Sequence, residues 1–153
     1  FGDDRLGWVA AEQLRDFLHL NAGPERIVVS ILDRPGAMLL AQWKETDEVI
    51  VIDAMRSRSA PGTWRRLAVD DLALSYPATS HGFGVASALE LARELGNLPR
   101  RLCVYGIEID ASWPGPGLSP AVAAAMPALV REVEAEVARR IVCSSPDLKA
   151  GVS

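Results

Sequence analysis

The stretch Glu48–Asp53, EVIVID, decides the fold class of this chain. It runs through four consecutive Val and Ile residues and has an acidic residue at each end. A continuous β-branched run is typical of a parallel strand with both faces covered by helices, because neither face then meets water. Asp53 is the first charged residue after the run, so it lies at the carboxyl end of the predicted strand.

Segments typical of strands and helices alternate on both sides of EVIVID. Further strands are predicted where short apolar runs are bounded by turn residues, at 26–32, 62–69 and 101–107. Helices are predicted where apolar residues recur at helical spacing, from Leu6 to Asn21, over 37–43, from an N-cap at Ser80 to Gly96, and from Ser119 onward. Pro127 lies inside the last helix, where we expect a kink or a later start.

This alternation predicts the architecture. Strands separated by helices form a mostly parallel, twisted sheet with helices on both faces, which is a three-layer α/β/α sandwich. At 153 residues the chain is long enough for one such domain and shows no internal linker. We therefore expect a single α/β domain over residues 1–153.

Composition excludes several classes of partner. The net charge is −4 and the isoelectric point about 5.2, which disfavours binding to nucleic acid or to anionic membranes. Cys103 and Cys143 have no metal or disulfide spacing and are interpreted as reduced thiols. No signal peptide or membrane span is visible, so we expect a cytoplasmic protein. We also expect it to be a monomer that binds neither nucleic acid nor membrane.

Ligands in such sheets bind beyond the carboxyl ends of the strands. Asp53 lies there, although an aspartate at that place is about equally often a turn cap. His81 follows the predicted N-cap, where the helix dipole favours the neutral imidazole that ligates metals. The other histidine, His19, lies near the end of the first helix and is better explained as solvated or as part of the edge of the core.

The chain opens with two adjacent acids, Asp3 and Asp4. A carboxylate at a helix start explains one of them, and the second has no such explanation. Two carboxylates and one imidazole suit a divalent first-row metal such as nickel, zinc, iron or manganese. The sequence therefore predicts a metal-dependent site built from Asp3 or Asp4, Asp53 and His81.

Five motifs occur in an order that identifies a family. They are GDD with Gly7 behind it, EVIVIDAMR with the following APGTW, SHGFGVASALELARELGNLP, VYGIEID, and the GLSPAV that opens the last helix. In this set and spacing the chain resembles the hydrogenase maturation endopeptidases. Members of that family remove a C-terminal extension from the large-subunit precursor of nickel-iron hydrogenases.

The resemblance implies roles for particular residues. Asp4, Asp53 and His81 correspond to the residues that contact nickel and support cleavage, and Asp3 to a helix-starting or supporting acid. The nickel is expected to arrive in the precursor, which is the implied partner, so that it identifies the substrate instead of being a resident cofactor. Whether a carboxylate or a metal-polarised water attacks the scissile carbonyl stays open.

The sequence also departs from the family pattern. A strand ending in Gly-x-Gly-Asn usually precedes the acidic pair, so we expect that an N-terminal strand is missing from this sequence. Arg5 replaces a common glycine, and Arg34-Pro35 stand where a loop linked to substrate recognition usually has another. Two alternatives therefore remain open: a non-catalytic factor that inspects the metal site during hydrogenase assembly, and another hydrolase of the same fold.

Overall fold

The computed structural model describes residues 2–21, 27–32, 36–44, 47–71 and 84–144. These residues form three α-helices, α1 (Leu6–Asn21), α2 (Val85–Glu94) and α3 (Pro120–Ser144), and three strands, β1 (Glu48–Met55), β2 (Trp64–Leu67) and β3 (Arg101–Glu108). Three short 3₁₀ helices cover Gly2–Arg5, Gly36–Gln42 and Val69–Asp71. The predicted α/β class is confirmed, and EVIVID forms most of β1.

The described strands form one mixed sheet in the order β1-β3-β2. β1 runs parallel to β3, with Asp53 opposite Gly106 and Met55 opposite Glu108. β2 runs antiparallel to β3. Only residues 56–63 connect β1 to β2, and a connection of that length is too short for the crossover that a parallel return would need.

Each face of the sheet has its own hydrophobic core. Cys103, Tyr105 and Ile107 of β3 pack in one cluster with apolar residues of α1 and α3. Val104 belongs to the other cluster, together with α2 and the 3₁₀ helix Gly36–Gln42. Successive residues of a strand point to opposite faces, so helical segments cover both sides of β3.

The prediction of a strand over 26–32 is wrong. Residues 27–32, the part of this segment that the structure describes, form no strand. Ile27 and Val29 pack against the core beside α1 and α3, whereas Val28 is 85% exposed. The alternation arises because Ile27 and Val29, two residues apart, pack against the core, and it does not require a strand. A strand also needs a hydrogen-bonded neighbour, and the ladder described for β1 is made with β3.

The predicted start of α2 at Ser80 is also wrong. The N-cap is Gly84, in an extended conformation, and its carbonyl accepts a hydrogen bond from the Ala88 N–H at 3.0 Å. Ser80 lies outside the described residues. The predicted end is confirmed, because Gly96 has a φ of +67°, with hydrogen bonds from Gly96 N to Arg93 O (3.1 Å) and from Asn97 N to Ala92 O (2.8 Å) closing the helix.

α3 begins directly after Ser119 and continues through Pro127. The Ser119 carbonyl accepts the Ala123 N–H at 2.9 Å, as expected for a capping residue. The later start considered for this helix is therefore wrong. Within the described part of the chain, no helix combines the length and the apolar character that crossing a membrane requires.

A buried carboxylate on α3 joins the helix to the edge of the sheet. Glu136 is 7% exposed and accepts hydrogen bonds from Arg139 (2.7 Å), Arg140 (3.1 Å) and Arg66 of β2 (3.2 Å). The Arg139 hydrogen bond, followed by those of Arg140 and Arg66, lowers the pKa of Glu136 to about 2 against an opposing effect of burial.

The lowered pKa of Glu136 predicts how stability depends on pH. The folded-state pKa lies below the ordinary value of 4.5, so the ionised group stabilises the fold above that pH and loses its contribution as pH falls towards 2. Glu136→Gln should lower the free energy of unfolding near neutral pH by at most roughly 3 kcal/mol, and less at acidic pH. Urea unfolding across the pH range measures this. Glu134→Gln on the same helix is the control, and a loss that does not change with pH would contradict the prediction.

The turn before β2 predicts a second stability effect. Gly62 has a φ of +86°, and a Cβ there would lie 2.6 Å from the Ala121 carbonyl oxygen of α3. Gly96 has a φ of +67° but no atom within 4 Å of its Cβ position. Gly96→Ala should cost about 1 kcal/mol of unfolding free energy, because only the backbone is strained. Gly62→Ala should cost roughly 2–4 kcal/mol. Equal losses in urea unfolding would show that the approach to α3 does not matter.

Candidate functional site

The first acid of the opening pair is buried and fully engaged. Asp3 lies in the 3₁₀ helix Gly2–Arg5 and is 3% exposed. Its carboxylate accepts hydrogen bonds from Asp110 N at 2.8 Å, Ser119 N at 2.6 Å and Ser119 Oγ at 2.7 Å. Asp3 therefore ties the start of the chain to both ends of the loop that joins β3 to α3.

Asp4 is exposed on the same short helix. The helix is held from its other end, because a Cβ on Gly2 would lie 3.1 Å from the Gly115 carbonyl and 3.3 Å from the Trp113 ring. Trp113 is itself fixed by a 2.9 Å hydrogen bond from its indole N–H to Gly117 O. Asp4 thus projects from a short helix anchored on the loop over residues 110–118.

Asp53 lies in β1, two residues before the end of the strand, and is partly buried. Its pKa is raised to about 6, mainly by burial; the Ala54 N–H opposes this rise and the negative charge of Asp4 adds to it. Gly7, in the first turn of α1, approaches the same strand: a Cβ there would lie 3.4 Å from Ile52 O. The structure therefore brings Asp4 and Asp53 close enough for their charges to interact.

His81 lies outside the described residues, as does the Asp33–Pro35 turn. In the part of the chain that is described, no three His, Cys, Asp or Glu side chains are grouped as a metal site would require. The structure thus brings together two of the three predicted site residues. The role of His81 stays a prediction from the sequence.

The chemistry of the pair follows from its electrostatics. A carboxylate whose pKa is raised by burial and by a neighbouring acid is costly to ionise in the free protein. A divalent cation between the two acids would reverse that cost, because it neutralises both charges and favours loss of the proton. Asp4 and Asp53 are therefore two interacting acids near the carboxyl end of β1, where a divalent cation would be favoured over two bare negative charges.

The sequence reasoning missed a second buried acid at this edge, Glu108 at the end of β3, which is 4% exposed. Its carboxylate accepts hydrogen bonds from Ser57 N (3.0 and 2.9 Å), Ser57 Oγ (2.6 Å) and Arg58 N (3.2 Å). Glu108 thus fixes the loop that follows Asp53 in the chain. The signal was an acid that closes an apolar strand, as Asp53 does, within the motif VYGIEID.

Comparison with known proteins gives a consistent result. A family model described as hydrogenase maturation protease matches residues 24–136. The Hydrogenase 2 maturation protease of Escherichia coli strain K12 is 30% identical over 110 residues, covering 69% of this chain and 67% of that protein.

Solved structures agree with the sequence comparison. The hydrogenase maturating endopeptidase HybD from E. coli superimposes with a TM-score of 0.69 and 28% identity, covering 92% of this chain and 86% of that one. The solution structure of another endopeptidase from E. coli gives a TM-score of 0.62 and 26% identity, covering 87% of this chain and 85% of that one.

Neutralising the two acids of the opening pair should change the free energy of unfolding by very different amounts. Asp3→Asn replaces an acceptor oxygen with an amide nitrogen and leaves buried donors unpaired, so it should cost roughly 2–4 kcal/mol of unfolding free energy. Asp4→Asn alters an exposed side chain and should change that free energy by no more than about 0.5 kcal/mol. Urea unfolding of both variants measures the difference. Similar losses in the two variants would contradict the assignment of Asp3 as the structural acid.

Proposed function

The chain belongs to the hydrogenase maturation protease family, and from that premise we propose that it removes a C-terminal extension from the large-subunit precursor of a nickel-iron hydrogenase once nickel has been inserted. Asp4 and Asp53 contact the nickel that the precursor carries, and His81 supplies the third contact. The metal belongs to the substrate and marks it as ready for cleavage.

The observation that carries this proposal is the coupled pair of acids at the carboxyl end of β1. Burial and the charge of Asp4 raise the pKa of Asp53 to about 6, so the free site resists full ionisation. A precursor without nickel would bring no positive charge to this pair. A nickel-loaded precursor would place a divalent cation beside the two acids, which makes its binding depend on the metal.

Cleavage is a hydrolysis. Water adds across the scissile amide: its oxygen bonds to the carbonyl carbon, the carbon–nitrogen bond breaks, and a proton passes to the departing amine. A carboxylate near neutral pKa suits proton transfer at physiological pH, and Asp53 has that property. Water activated by this carboxylate and water polarised by the substrate's nickel are both compatible with the arrangement.

The test compares nickel-loaded and nickel-free precursor from the same genome, incubated with the purified protein. Wild type should cleave only the loaded precursor. Asp4→Asn, Asp53→Asn and His81→Ala should each slow cleavage by about 100-fold or more, because each removes a contact to the charged centre. Gel shift of the large subunit measures the rate, and urea unfolding confirms that each variant is folded.

His19→Ala is the matched control, since it removes the other histidine, which lies on α1, and should process the precursor at the wild-type rate. Cleavage of both precursors by wild type would refute the dependence on nickel. A folded wild type that binds the loaded precursor and cleaves neither form would favour the non-catalytic assembly factor. Normal processing by the three site variants would refute the assigned residues.

A further inference from the structure

The loop after β1 and the first residues of β2 carry an unusual concentration of positive charge. Residues 56–66, RSRSAPGTWRR, contain four arginines and no acid, in a chain with a net charge of −4. Arg65 donates to Ser59 Oγ at 2.8 Å and Arg66 to Glu136 at 3.2 Å. Arg56 and Arg58 are exposed, and in the described part of the chain an acidic side chain bonds to the Arg58 backbone N–H but to neither guanidinium group.

Glu108 gives this loop a fixed shape. Its four hydrogen bonds come from the backbone N–H groups of Ser57 and Arg58 and from the Ser57 hydroxyl. These donors belong to the backbone and hydroxyl of the loop, so the Glu108 carboxylate holds the loop without using either guanidinium group, and both arginines are exposed. Arg58 has a φ of +68°, a conformation that a non-glycine residue adopts when its surroundings impose it.

The loop is adjacent to the acidic pair. Met55, the last residue of β1, pairs with Glu108 and accepts a 3.2 Å hydrogen bond from Ile109 N. Asp53 is two residues before this point and Arg56 is one residue after it. Asp53 and the first arginine of the loop therefore lie three residues apart at the same end of β1.

We propose that Arg56 and Arg58 bind carboxylate groups of the substrate polypeptide, and that Glu108 is the positioning residue that holds them beside the metal-contacting acids. This inference rests on the proposed function. Guanidinium groups present planar N–H donors that match a carboxylate. A substrate with a cation for Asp4 and Asp53 and a carboxylate for the arginines can bind in one direction only, which aligns its chain for cleavage.

Charge reversal tests the arginines. Arg56→Glu with Arg58→Glu should weaken binding of the nickel-loaded precursor about tenfold or more, raise KM to the same extent and change kcat little. The wild-type affinity should fall with added salt more steeply than that of the variant. Binding is measured by biolayer interferometry and cleavage by gel shift, with the full chain in both assays.

The control is Arg15→Glu with Arg131→Glu, which changes the net charge equally. Both control residues are exposed and lie far along α1 and α3, about 13 Å or more from the starts of those helices. The control should bind and cleave as wild type does. If it weakens binding as much as the loop variant, the effect is one of total charge and the inference is overturned.

Glu108→Gln tests the positioning role, because the amide nitrogen cannot accept the loop N–H groups. It should raise KM several-fold with kcat nearly unchanged, although both arginines remain. Glu108→Asp, which keeps both acceptor oxygens, should recover part of that loss. A purely structural role would lower the free energy of unfolding without changing KM, and that result would overturn the assignment of Glu108.

Substrate variants identify the carboxylate. Amidation of the precursor's C-terminus, made by ligating a synthetic C-terminal peptide, and Asp/Glu→Asn/Gln changes in the extension are tested separately. Weaker binding after C-terminal amidation would assign the terminal carboxylate, and weaker binding after the side-chain changes would assign the acidic side chains. No effect of either change would overturn the inference.

The inference and the proposed function can fail separately. A wild type that binds the precursor without cutting it would refute the proposed function, while the binding data alone would still decide for or against the arginines.

Discussion

One buried carboxylate, that of Asp3, joins the beginning of the described chain to its last third. Its oxygens accept hydrogen bonds from the loop after β3 and from the residue that starts α3. A carboxylate can be buried at acceptable cost when backbone N–H and hydroxyl donors replace the water it loses. Because Asp4 is the next residue on the same 3₁₀ helix, its position at the site depends on those hydrogen bonds.

The carboxyl ends of β1 and β3 supply the second constraint. The two strands end opposite each other at Met55 and Glu108, so the segments that leave them start from one edge. Glu108 is surrounded by hydrogen-bond donors and shapes a loop. Asp53 is partly buried near another acid and has a raised pKa. Two acids at the same sheet edge therefore differ in environment: Glu108 is held by hydrogen-bond donors, and Asp53 has a pKa raised by burial and by Asp4.

The elements that could be predicted from sequence are those specified locally. EVIVID, the strand at Arg101 and the helix after Ser119 were found because apolar periodicity and capping residues act over a few positions. The segment 27–32 was misassigned because strand pairing is set by distant residues. The partners of Asp3 were beyond prediction for the same reason: Asp110 and Ser119 are more than 100 residues away.

The doubled acid at the start of the chain is explained by helix geometry. A 3₁₀ helix has three residues per turn, so consecutive side chains point about 120° apart. One acid can therefore face the protein interior while the next faces outward, as Asp3 and Asp4 do. Gly2 completes the arrangement, because its φ of +62° and its close approach to Gly115 and Trp113 disfavour any side chain there. The order Gly-Asp-Asp thus provides a turn with a positive φ, a buried carboxylate and an exposed carboxylate, and the hydrogen bonds of the buried one fix the position of the exposed one.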